Sequence, residues 1–171
     1  MFKSLFGMSV DDAISALHGA TQRLRDDFVS RCFPGVPFSA ENGVELGFLA
    51  VYVVDDLVKN PQHPSWLNHR EAVAKGYYSA CAKGWAFGEF IFTMLYMPRM
   101  EQYNSALAEH LPELSKISDP QARFVRSAAV MGGVFADLCG HPDDKRYSLI
   151  GSGAVGLLHI STEKLFKAKL K

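Results

Sequence analysis

The stretch Ser39-Ala40-Glu41-Asn42-Gly43-Val44-Glu45-Leu46-Gly47-Phe48-Leu49-Ala50-Val51-Tyr52-Val53-Val54-Asp55-Asp56-Leu57-Val58-Lys59-Asn60 decides the fold class. Its centre, Val51 to Val54, is rich in β-branched residues and by itself reads as a buried strand. An uninterrupted apolar run of about twenty residues is far too long for one strand and suits a buried helix. Ser39 is a good N-cap at its start, and Asn60-Pro61 stops it at the other end. With this stretch helical, no β-rich segment of comparable length remains.

Outward from it, caps and breakers mark about six helical segments. Ser9 followed by Asp11 and Asp12 starts the first. Val10, Ile14, Leu17, Leu24 and Phe28 then recur at spacings of three and four until Phe33-Pro34-Gly35 breaks the run. Ser65 is expected to cap a third segment running towards Tyr96, where Pro98 imposes a bend or stop. A shorter helix follows and ends at Pro112. Ser118-Asp119-Pro120-Gln121 carries a capping box with proline at the first helical position, and Gly140-His141-Pro142 ends the helix it begins. Asp143 and Asp144 open the last. The expectation is an all-α bundle over residues 1–171, a single domain, with the aromatic and glycine-rich third segment at its centre.

That third segment carries Ala72, Gly76, Ala80, Gly84 and Gly88 at intervals of four. Glycine inside a helix costs about 1 kcal/mol relative to alanine, so a ridge holding three needs a compensating close approach. The matching small surface Ala128, Gly132 and Ala136 on the fifth segment is the expected partner, through crossing i±4 ridges. A flat ligand or a dimer seam on the bare ridge competes with that reading. The aromatics Tyr77, Tyr78, Trp85, Phe87, Phe90, Phe92 and Tyr96 wrap right around the same segment.

Composition limits the functions open to such a bundle. Eighteen Lys and Arg balance eighteen Asp and Glu, which removes the electrostatic case for nucleic acid. The lysine-rich end at Lys164, Lys167, Lys169 and Lys171 suits the negative pole of a last helical turn. Cys32, Cys81 and Cys139 have no metal-type spacing and read as free thiols of a reducing compartment. Met1 to Gly7 lacks the apolar region of a signal peptide, and no uncharged stretch reaches membrane-spanning length. Cytoplasmic location is the expectation.

Chemistry-bearing motifs are few. Gly151-Ser152-Gly153-Ala154-Val155-Gly156 matches G-x-G-x-x-G, but dinucleotide binding needs a βαβ unit and an acid about 20 residues on. The one acid after it, Glu163, comes too early, so small residues at a helix crossing explain the motif better. Glu45, Asp55, Asp56, Glu89 and Asp137 interrupt apolar stretches and are the candidate ligand or metal-binding acids, with His141 beside Cys139 as a further candidate. Glu45 and Asp56, eleven residues apart, share one helix face. No Glu-x-x-His, P-loop, H-E-x-x-H or C-x-x-C accompanies them. Catalytic residues are not identifiable, and no cofactor is called for. Two functions follow as expectations. The first is a non-enzymatic protein that binds another protein or itself, as an adaptor, inhibitor or immunity-type partner. The alternative is a helical enzyme for a small molecule or metal, built from the embedded acids near the glycine ridge. Convergence of those acids on one cavity favours the enzyme. Their dispersal, together with an exposed apolar patch, favours the binding protein.

Overall fold

Ser9 accepts a hydrogen bond from the Asp12 amide and so starts α1 (Val10–Arg23), as its position before two aspartates predicts. The structure is a computed structural model that describes residues 7–61, 64–84 and 88–170. The helix passes through a π turn (Leu24–Phe28) into α2 (Val29–Cys32). Gly35 at φ +85° turns the chain. Ser39 then caps α3 (Ala40–Lys59) in a reciprocal box. The Asn42 amide donates to Ser39 Oγ at 3.2 Å, and the Ser39 amide donates to Asn42 Oδ1 at 3.0 Å.

α3 is the most enclosed element. Leu46, Phe48, Leu49, Ala50 and Val51 are all but fully buried, as expected of a helix apolar on every side. It packs against α1, α5 (Arg70–Gly84), α6 (Gly88–Leu114), α7 (Pro120–Leu138) and α8 (Lys145–Phe166). Each fully buried Leu or Phe contributes about 1.5–3 kcal/mol of transfer free energy, and this helix supplies several of them to the core. The central place expected for the aromatic third segment therefore belongs to α3.

The third segment itself divides. A short turn, α4 (Pro64–Leu67), precedes α5, and Ser65 lies within it instead of capping a long helix. Ser65 Oγ accepts from the Leu170 amide. α5 ends at Gly84, and α6 begins at Gly88 with φ +69°. Trp85 and Phe87, like His63, Lys171 and the Met1–Phe6 start, lie outside the described residues. Pro98 and Pro112, expected to stop helices, are both inside α6. A proline removes one amide donor and crowds the carbonyl four residues back, and packing on α3, α5 and α7 outweighs that local cost.

The small-residue surfaces also meet other partners than expected. α7 and α8 are joined by a short connection turning on Gly140 (φ +76°), which makes them antiparallel neighbours. A Cβ on Gly132 would stand 2.3 Å from the Ser148 carbonyl oxygen and 2.9 Å from the Ser152 amide nitrogen. Gly151 approaches the Gly132 Cα in return. The α7 surface is thus used by α8, and the Gly151–Gly156 motif lies in the middle of that helix. The α5 ridge faces α1 instead. A Cβ on Gly76 would meet Ile14 Cδ1, and one on Gly84 would meet His18 Nε2 at 3.0 Å. Ala72 is exposed, and Gly88 belongs to the next helix.

At the C-terminal end, Trp66 donates to the Ala168 carbonyl at 3.0 Å and packs on Phe166. Lys164, Lys167 and Lys169 are exposed. One core cluster runs from Ala13 to Leu170, and no described helix is long and apolar enough to cross a membrane.

Candidate functional site

Glu45 is the one embedded acid that the fold buries, and α6 explains why. Arg99 reaches it with Nε on Oε2 at 2.6 Å and Nη2 on Oε1, a bidentate pair. Both side chains are largely enclosed, at 10% and 21% exposure. The guanidinium also caps the Leu95 carbonyl at 2.6 Å and lies over the Phe48 ring. The Glu45 hydrogen bond, and its charge, raise the Arg99 pKa against the cost of burial. A bidentate pair whose guanidinium also donates to the Leu95 carbonyl is a structural lock between α3 and α6.

The other candidate acids lie apart from it. Asp55 pairs with Lys59 at 2.5 Å, one turn on. Asp56 is exposed and accepts from Asn60 at the end of α3. It shares the helix face of Glu45, yet three turns, about 16 Å, separate them. Glu89 is exposed at the start of α6, and Asp137 is exposed on α7. His141 stacks on Tyr147 with ring centroids 4.1 Å apart. Among the described residues no group of three His, Cys, Asp or Glu side chains could hold a metal.

Burial also accounts for the thiols. Desolvation pushes Cys81 and Cys139 up to about 12, while Cys32 is exposed, and none is in a disulfide. A thiol reagent at mildly alkaline pH should therefore modify Cys32 rapidly in the folded protein and the other two only on denaturation. Two or more fast thiols in the native state would contradict this packing.

What the sequence did not single out is the outer face of α6. Phe90 is 76% and Met94 60% exposed, and Ile91, Leu95 and Met97 are exposed beside them. Phe90, Met94 and Met97 are spaced by four and three, so they form one stripe opposite the buried Phe92, Tyr96 and Tyr103. From Phe90 to Pro98 there is no charged residue. Aromatic wrapping around the segment was legible, but which side α3 and α5 would cover was not. Beside the stripe lies an open groove of about 830 Å³ between α3, α5 and α6. Ala74, Tyr78, Tyr96, Met97 and Met100 line it together with both signs of charge, Asp55 and Glu71 beside Lys59, Arg70 and Lys75. The Tyr96 hydroxyl beneath it is buried with no hydrogen-bond partner among the described residues, and desolvation raises its pKa. The stripe, with two methionines and no charged residue from Phe90 to Pro98, can take up another apolar surface.

Compared with protein-family models, curated proteins and solved structures, the chain gives no match.

Proposed function

We propose that the protein acts by binding protein, without catalysis, and that the outer face of the first turns of α6 makes the contact. The observation that carries this reading is the stripe Phe90, Met94 and Met97, flanked by Ile91 and Leu95, which the other described residues leave exposed. The largest contiguous apolar patch on a folded chain is often the surface it uses for binding. Methionine suits such a face because its unbranched, polarisable side chain adapts to the surface it meets. Dispersal of Glu45, Asp55, Asp56, Glu89 and Asp137 supports the same reading, since no two of them share a cavity with a metal-type ligand set. Three free thiols fit a reducing compartment such as the cytoplasm.

A photo-crosslinking residue in place of Met94 tests the reading in cells of the protein's own host. Irradiation should yield a protein adduct from position 94, and much less from the exposed Lys116 on the α6–α7 connection. Equal yields at the two positions, or none at Met94, would remove the basis for the proposal.

A further inference from the structure

We infer that the groove between α3, α5 and α6 is a site for a small organic anion, a molecule with one acid group on an apolar body. The groove meets the outer face of α6 at Met97, and the inference goes beyond the protein contact proposed there. At about 830 Å³ it has the size of small-molecule sites, which run from about 300 to 1,000 Å³. Its α5 wall carries Arg70, Ala74 and Tyr78 at intervals of four, so one line of that helix leads from a cation to an aromatic ring over about 12 Å. Met97 and Met100 line it from α6. Tyr78 and Tyr96 close the aromatic end, with ring centroids 5.9 Å apart. Tyr96 is 4% exposed, and its hydroxyl has no hydrogen-bond partner among the described residues. Buried hydroxyls are nearly always satisfied, so an acceptor carried to the groove floor would relieve a standing cost.

Charge selects the sign of the ligand. Lys59, Arg70 and Lys75 line the groove against Asp55 and Glu71, an excess of one cation. Asp55 is held by Lys59 at 2.5 Å. Glu71 and Lys75 stand one turn apart on α5 and offset one another. That leaves Arg70, which is exposed and whose guanidinium makes no hydrogen bond or ion pair among the described residues. A guanidinium with its fork open takes a carboxylate or similar acid through two parallel hydrogen bonds. The body of the ligand then lies towards Tyr78, Met97 and Met100, where the methionine side chains adapt to its shape. A second acid group would approach Asp55 or Glu71, so a single one fits.

Fluorescence titration of the purified full chain with anilinonaphthalene sulfonate, an aromatic body carrying one acid, should saturate at one dye per chain. Arg70→Gln, at an exposed position and with unchanged circular dichroism, should weaken that binding about tenfold through loss of the charge-assisted contact. The same variant should leave phenylnaphthylamine, the same rings without the acid, within about twofold of the parent. Decanoate should displace the sulfonate dye, and decanol should do so far less well. Met94→Ser, on the neighbouring stripe and outside the groove, should keep the dye. A parent with no saturable binding overturns the inference, as does sulfonate binding undiminished in Arg70→Gln. Loss of the dye from Met94→Ser overturns it too, by placing the dye on the stripe. An equal fall in both dyes on Arg70→Gln, or equal displacement by decanol and decanoate, removes the role of the acid and with it the inference. None of these results touches the protein-binding reading, which the position-94 photoadduct tests separately.

Discussion

Gly132→Ala should destabilise the bundle by about 1–3 kcal/mol or more, while Gly133→Ala, one residue along the same helix, should leave it as stable or slightly more so. The difference lies in what a methyl group meets. At Gly132 it would come within 2.3 Å of the Ser148 carbonyl oxygen and 2.9 Å of the Ser152 amide nitrogen. Those are backbone atoms of α8, so the clash is relieved only by moving one helix away from the other. Gly151 and Phe135 pack in the same crossing and would lose contact as α7 and α8 part. At Gly133 nothing lies within 4 Å, and the helix gains up to about 1 kcal/mol of propensity. Out of a total stability of roughly 5–15 kcal/mol the Gly132 loss is a large share. Urea denaturation of the two variants beside the parent gives the comparison. Equal midpoints for Gly132→Ala and the parent would mean that α7 and α8 are not this close.

That pair of neighbouring glycines also shows where sequence reading stops. The periodicity and caps were enough to start α1 and α3 at Ser9 and Ser39, whereas the box expected at Ser118 gives way to Asp119, which caps α7 by accepting from the Gln121 and Ala122 amides. These are local signals, set by a side-chain oxygen facing amides two or three residues on. The ridge Ala72, Gly76, Ala80, Gly84 and the surface Ala128, Gly132, Ala136 were legible as close-approach surfaces. Which surface meets which depends on connection lengths and on the whole core, and small residues carry no code for their partner. The long third segment misled for a related reason. Gly84 and Gly88 continue a four-residue period across what proves to be the end of one helix and the start of another. Pro98 and Pro112 misled in the opposite direction, because tertiary packing overrode a local preference. For the site, Glu45 was visible as an acid in an apolar run. Its partner Arg99, fifty-four residues away, had no local signal beyond being a charge at the edge of an uncharged stretch. The exposed stripe on α6 was harder still, since exposure of an aromatic segment is a property of what fails to cover it.

The Glu45–Arg99 pair yields the second large effect. Glu45→Leu leaves the guanidinium enclosed over Phe48 without its carboxylate, and Arg99→Leu leaves a carboxylate at 10% exposure without its cation. Removing one member of a buried pair costs about 3–5 kcal/mol, and the 21% exposure of Arg99 should place Glu45→Leu at the lower end of that range. Arg99→Leu should cost more, because the stranded group is the better buried one and the Leu95 carbonyl loses its cap as well. The double variant separates a charge penalty from a packing penalty. Leucine at both positions removes the desolvated charges together and places two branched apolar side chains between α3 and α6, so much of the loss should return. The double-mutant cycle should then give a coupling of 2 kcal/mol or so, within the range measured for residues in direct contact. Additive losses, with the double variant as unstable as the two single costs combined, would show that the two side chains act separately and that the lock between α3 and α6 is not the ion pair.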